Sequence, residues 1–246
     1  MIAAALAAVF VVIAVEAAVG GPVVRWDQQV TQLLAAGRAP AWYRVLWFFS
    51  LLGNTYTLVM LTVATVLLLL RWGRPMEAVF VSLTMASASG LSQLLKAVLT
   101  RPRPPQVEAL IALPGSHSLT SGHALMTAVF VGLLLVFALR SRRPVLRPVA
   151  VVLGVVFAAL VGMSRVYLGV HWLSDVIGGW CLAGVWLILA LGLFRIWERS
   201  RFALRDGAPG LPPWRGGLSR VLTTFVLAAA VVVVLVVEGL TDPLLG

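Results

Sequence analysis

Val45-LWFFSLLGNTYTLVMLTVATVLLL-Leu70 runs for twenty-six residues without a charge, between Arg44 and Arg71. A helix rises about 1.5 Å per residue, so roughly 20 apolar residues cross the hydrocarbon core of a bilayer. This run is long enough for one crossing. Further uncharged runs lie on both sides of it: Ile2 to Val15, Ala78 to Leu95, Ala109 to Leu139, Pro148 to Ser164, Val176 to Phe194 and Val221 to Val237. In the fourth of these, counting along the chain, Pro114, Gly115 and His117 delay the helix to near Ser121. Seven candidate spans result. Lipid offers no hydrogen-bond partners, so a spanning backbone must pair with itself, and evenly apolar runs do so as helices rather than as the alternating strands of a barrel. The expected fold class is an all-α, polytopic membrane helix bundle.

Composition agrees over the whole chain. Of 246 residues, 61% are hydrophobic and 11% charged, and the mean hydropathy is +1.00. Soluble domains carry about 45–50% and about 25% respectively, so this chain has too few charges to cover a water-facing surface. Its apolar content also excludes disorder. The lone Cys181 excludes a disulfide framework or a multi-cysteine metal site. No basic residue precedes the first span, which therefore reads as an anchor that stays rather than a cleaved signal. Between spans one and two, Trp26, Val30, Leu33 and Leu34 recur at helical spacing beside Arg25, Asp27, Gln28 and Gln29, the pattern of a short helix at the membrane interface. Gly and Pro between 205 and 217 mark a loose connection before the last span.

The net charge of +10 comes from 19 cations, all but Lys96 arginine. In a soluble protein it would suggest nucleic acid; here membrane topology explains it and no nucleic-acid partner is expected. With the N-terminus in the cytoplasm, twelve cations fall on the inner side and seven on the outer. Four of those seven, Lys96, Arg101, Arg103 and Arg165, belong to two unusual outer connections.

The first connection holds Lys96, Arg101, Pro102, Arg103 and Pro104, then Thr120, Ser121, Gly122 and His123; the second runs from Ser164 and Arg165 to His171 and Asp175. Each residue has a plain explanation. Lys96 can snorkel, Arg101 and Arg103 can form a basic turn, Ser121 can cap span four, and Asp175 can complement a helix dipole. His117 reads as a loop residue without a role. Together they say more. His171 and Asp175 are four apart and share a helix face, where a carboxylate can fix one imidazole tautomer and leave the other nitrogen nucleophilic. His123 can protonate a leaving group. Lys96, Arg103 and Arg165 can hold phosphate oxygens, and Ser121 with the amides of Ser121 and Gly122 sits at a helix start suited to an anion. A nucleophile, an acid and an anion cradle specify phosphoryl transfer. Nothing resembles a carboxylate-rich metal site or a Walker-type nucleotide loop.

These motifs resemble those of the type 2 phosphatidic acid phosphatases, membrane lipid phosphatases that share a fold with vanadium haloperoxidases. Lys-x6-Arg-Pro matches Lys96 through Arg103 and Pro104. Pro-Ser-Gly-His is matched at Ser121, Gly122 and His123, with Thr120 in place of the proline. Ser-Arg-x5-His-x3-Asp matches Ser164, Arg165, His171 and Asp175 in full. The resemblance covers roughly residues 1–195, a six-helix core, and leaves a connection at 196–220 and an extra helix at 221–237. It implies a membrane lipid phosphatase without metal or cofactor. His171 would form a phosphohistidine and Asp175 would orient it. His123 would act as acid and then base, and Lys96, Arg103, Ser121, Gly122 and Arg165 would bind the phosphoryl oxygens. The substrate would be a lipid phosphate from the bilayer, phosphatidate-like or a polyprenyl diphosphate. The cation bias puts the site on the outer face of the plasma membrane and the N-terminus in the cytoplasm. Rival readings are a phosphotransferase passing the group to another lipid, an anion or lipid transporter, and an inactive relative. Spans almost without ionisable groups count against transport, and intact His123, His171 and Asp175 count against inactivity.

Overall fold

The computed structural model describes residues 1–139 and 146–206. All regular structure among them is helical: α1 (Ile2–Val19), α2 (Pro22–Ala36), α3 (Pro40–Leu52), α4 (Thr55–Arg71), α5 (Pro75–Leu99), α6 (Gly122–Leu139), α7 (Leu146–Tyr167) and α8 (Leu173–Asp206), with one 3₁₀ turn at Gln106–Glu108. Four helical segments, Ile2–Val19, Pro75–Leu99, Arg147–Tyr167 and Leu173–Glu198, are long and apolar enough to cross a membrane. The expected seventh span at 221–237 lies outside the described residues, as do the connection beyond 206 and Arg140, Arg142 and Arg143. Helix α8 continues past the apolar run that ends at Phe194 and reaches Asp206.

The long run at 45–70 is not one straight helix. It breaks into α3 and α4, bent by 48°. Gly53 ends α3, and the Asn54 side chain caps α4 by accepting from the Tyr56 amide at 2.9 Å. The local signal is Gly-Asn-Thr at 53–55, a helix stop followed by a start, which hydropathy alone smooths over. The bend has a packing reason. A Cβ on Gly53 would lie 2.2 Å from Val161 Cγ1 on α7 and 3.4 Å from His123 Cδ2 on α6. Only a glycine lets the α3–α4 corner sit this close to both helices.

A helix forms at 22–36 as expected, but its inward face differs. Asp27 and Thr31 are fully buried, whereas Trp26 and Leu33 are exposed. Val30 and Leu34 do pack inward, against Ala124, Val166 and Val176. The reason Asp27 turns inward is a set of donors on α8 and on the loop after α5, described below.

The main core lies among α4, α5, α6 and α8, with Val66, Leu69, Val81, Met85, Val129, Leu133 and Phe194 at its centre. Phe80 and Phe194 stack with centroids 4.4 Å apart. A smaller cluster of Ala124, Val166 and Val176 joins the start of α6, the end of α7 and the start of α8 at one end of the bundle. The loops carrying the unusual residues meet there.

Candidate active site

Helix α5 stops at Thr100, which adopts φ 43°, the left-handed region that a β-branched residue rarely enters. This turn folds Arg101-Pro102-Arg103-Pro104 back over the bundle. The returning strand is tied to the second connection. Trp172 Nε1 donates to the Pro102 carbonyl at 2.9 Å, and the Leu110 amide donates to the Leu168 carbonyl at 2.9 Å. Gly169, at φ +75°, approaches so closely that a Cβ there would stand 2.3 Å from the Glu108 carbonyl oxygen. Arg38 clamps the same corner by donating to the carbonyls of Tyr167 and Glu108.

His171 stands at the centre of this meeting point and is almost fully buried. Its Nδ1 faces Asp175 Oδ2 at 3.4 Å, and its Nε2 lies 3.1 Å from Arg103 Nη1. A guanidinium only donates, so Nε2 accepts and the ring proton belongs on Nδ1, toward the carboxylate. Burial first, and then the charges of Arg103, Arg165 and Lys96, push the His171 imidazole well below its ordinary range. The ring is neutral at pH 7, with a lone pair on Nε2.

Asp175 lies on the first turn of α8 and is fully buried. Oδ2 also accepts from the Trp172 amide at 3.0 Å, the back-bond of a helix cap. Oδ1 accepts from Arg101 Nη1 at 2.6 Å.

The cations gather around His171. Arg103 donates to the carbonyls of Ser116, His117 and Val170, which fix its plane. Burial lowers its guanidinium to about 10, so it stays charged at neutral pH. Arg165, 5% exposed, donates from Nη1 to Ser50 Oγ at 2.6 Å on α3, while its Nε is buried without a hydrogen-bond partner. Neither Arg103 nor Arg165 forms an ion pair with a carboxylate among the described residues. Lys96 Nζ lies 3.6 Å from where a Cβ on Gly122 would stand, so its charge sits at the start of α6. His123, on the first turn of that helix, is within electrostatic range of His171, Lys96, Arg103 and Arg165. A cluster with this excess of positive charge favours an anion.

Every residue expected from the sequence to form the site therefore lies at one end of the bundle. Two details differ. The Ser121 amide, expected to face a phosphate, donates to the Asp175 carbonyl at 3.3 Å, and Ser121 Oγ caps α6 by accepting from the Ala124 amide. An anion at this helix start would meet the amides from Gly122 onward. Arg101, read as part of a basic turn, is buried against Asp175, and Ser50, which orients Arg165, carried no signal in the sequence. His117 is exposed and contributes only a carbonyl. Among the described residues no group of three or more His, Cys, Asp or Glu side chains is arranged to hold a metal ion.

A family model described as the PAP2 superfamily matches residues 77–199, half of the chain. An undecaprenyl-diphosphatase of Sulfolobus acidocaldarius is 33% identical over 144 residues, covering 57% of this chain and 64% of that protein. Phosphatidylglycerophosphatase B of Bacillus subtilis is 36% identical over 115 residues, covering 45% of this chain and 55% of that protein. The match thus spans less than two thirds of either curated relative. The crystal structure of a transmembrane PAP2-type phosphatidylglycerolphosphate phosphatase from Bacillus subtilis superposes with a TM-score of 0.66 at 27% identity, covering 78% of this chain and 94% of that one. The LpxE structure from Aquifex aeolicus, at 19% identity, shares the fold with a TM-score of 0.54 over 67% of this chain and 94% of that one.

Proposed function

The chain belongs to the PAP2 superfamily, and from that premise we propose that it is a metal-independent lipid-phosphate phosphatase of the membrane, acting through a phosphohistidine. The observation that carries the reading is the state of His171: neutral, with Nε2 unprotonated amid Lys96, Arg103 and Arg165 and Nδ1–H turned to Asp175.

In this reading the phosphoryl group displaces the Arg103 bond to Nε2, and Nε2 attacks phosphorus. The bond from phosphorus to the lipid oxygen breaks, and His123, which takes a proton once the phosphate dianion faces it, gives that oxygen the proton. Charge building on the equatorial oxygens is met by Lys96, Arg103, Arg165 and the amides from Gly122. Fixed charges in a water-poor site are often the largest catalytic contribution. Ser121 frames this cradle as the cap of α6. Asp175 stabilises the cationic ring of the intermediate. His123, now neutral, takes a proton from water, whose oxygen attacks phosphorus, and the P–N bond breaks to release phosphate.

The substrate is a phosphorylated lipid presented from the bilayer. The relatives named undecaprenyl-diphosphatase and phosphatidylglycerophosphatase span polyprenyl diphosphates and glycerophospholipid phosphates. Both classes fit a site that reads only the phosphoryl group. The cation bias supports a plasma-membrane protein with its N-terminus in the cytoplasm and this site on the outer face.

The test is release of inorganic phosphate from a panel of lipid phosphates and diphosphates in detergent, with EDTA present. Release is expected in EDTA, inhibited by vanadate, which resembles the five-coordinate transition state. Activity that disappears in EDTA and returns with Mg²⁺ refutes the mechanism. Transfer to a second lipid without free phosphate would make the protein a phosphotransferase.

A further inference from the structure

Asp27 is a carboxylate with no place in the mechanism above, yet it and Thr31 are the only fully buried residues of α2. Its partners explain why. Oδ1 accepts from the Ser174 amide at 2.9 Å, at the start of α8. Oδ2 accepts from the Ser174 hydroxyl and from Arg101 Nη2, the latter at 2.7 Å. The other arm of Arg101 donates from Nη1 to Ser174 Oγ at 2.8 Å and to Asp175 Oδ1 at 2.6 Å. Arg101 is 5% exposed, and its guanidinium lies 5.9 Å from the centre of the Trp172 ring. Two helices and two loops thus converge on one sealed chain, Asp27–Arg101–Asp175–His171.

We propose that Asp27 and Arg101 are positioning residues for the His171 nucleophile, acting through Asp175. The inference rests on the phosphatase reading and adds two residues to it.

The charges of the buried group give the reason. A carboxylate buried alone tends to take up a proton, and a protonated Asp175 would donate to Nδ1 and place the ring proton on Nε2, where it blocks attack. Arg101 opposes this, because its Nη1–H donates to Asp175 Oδ1 at 2.6 Å and its charge favours the carboxylate. Arg101 alone, however, would leave a neutral pair beside a ring that must become cationic. Asp27 returns the buried group to a net charge of −1. It also fixes Arg101 from the far side and anchors the first turn of α8, on which Asp175 rides. Buried ion pairs seldom add much stability over apolar packing, so a triad this costly to desolvate fits a positioning role.

The experiment compares wild type with His171→Ala, Asp27→Asn, Arg101→Gln and Arg101→Lys in detergent, measuring kcat, KM and the pH profile of kcat/KM. Groups facing His171 are Asp175 on α8, Arg103 on the loop after α5, Arg165 on α7, Lys96 on α5 and His123 on α6. Asp27→Asn removes a negative charge without touching any of them. Its kcat is expected to fall at least roughly tenfold with KM within about threefold, because the loss is confined to the transition state. The acid limb should move to lower pH, since the imidazolium becomes less favourable. Arg101→Lys should retain at least roughly tenfold more kcat than Arg101→Gln. If Asp27→Asn lowers the unfolding midpoint by more than a few degrees, the Arg101 pair decides, compared at matched stability. Asp27→Asn with wild-type kcat and an unmoved acid limb, or equal activity in the two Arg101 variants, overturns the proposal while an inactive His171→Ala leaves the phosphatase reading standing. A wild type that releases no phosphate refutes the phosphatase reading itself, and this inference with it.

Discussion

Replacing Gly53 with alanine adds one methyl group at the bend between α3 and α4. That methyl would stand 2.2 Å from Val161 Cγ1, 3.2 Å from Thr127 Oγ1 and 3.4 Å from His123 Cδ2. Val161 and Thr127 are fully buried, so neither can swing into open space. To reach 3.4 Å, where ordinary contact begins, the corner must move away from α7 by about 1.2 Å. Overpacking of this kind typically costs about 1–3 kcal/mol. The functional effect should be larger in proportion. Ser50 lies one turn before Gly53 and holds Arg165 Nη1 at 2.6 Å, so the shift drags Arg165 as it pushes the His123 ring. A displacement near 1 Å can cost on the order of 100-fold in rate. The assay is phosphate release from a lipid phosphate together with the thermal unfolding midpoint. The expected outcome is a loss of roughly 30- to 100-fold in kcat/KM with a folded protein. A variant within threefold of wild type, with an unchanged midpoint, would refute the claim that this corner positions the site.

His123→Ala should cost far more with a lipid alkoxide leaving group than with an aryl phosphate, whose leaving oxygen needs no proton in the first step; equal losses would deny His123 its role as acid. Because burial and its cationic neighbours lower His171, the nucleophile stays unprotonated below pH 6.5, and the acid limb of kcat/KM from this group should lie under that value once substrate ionisation is subtracted. The same shift has a stability sign: the unfolded chain takes the proton at about pH 6.5 and the folded one does not, so the part of stability linked to His171 is lost as pH falls below 6.5, as unfolding midpoints across pH 5–8 can check. For topology, after Cys181 is replaced, an impermeant thiol reagent should label a cysteine at the exposed Val107 and miss one at the exposed Trp72; the reverse pattern inverts the orientation.

Much of this is legible in the amino-acid sequence. Uncharged runs of spanning length fix the class, because a backbone in lipid has few ways to satisfy itself. The residues that gather around His171 are legible as well, because phosphoryl chemistry needs particular residue types at particular spacings. Asp27 is not. It sits among Arg25, Gln28 and Gln29, a pattern indistinguishable from a solvated helix face, and only Arg101, 74 positions away, and Ser174, 147 positions away, turn it inward. The Gly53–Asn54 bend left a signal that the surrounding hydropathy masked. Ser50 left none, since a serine in an apolar helix usually bonds its own backbone.

The most direct test of the central claim is to trap the intermediate. A lipid phosphate labelled with ³²P at the terminal phosphoryl group would be mixed with enzyme, quenched in milliseconds under alkaline denaturing conditions, and the protein digested and mapped. Acid-labile, alkali-stable label is expected on the peptide containing His171, and none in His171→Ala. Wild-type enzyme that turns over without ever carrying label, or a His171→Ala variant that still does, would contradict that claim.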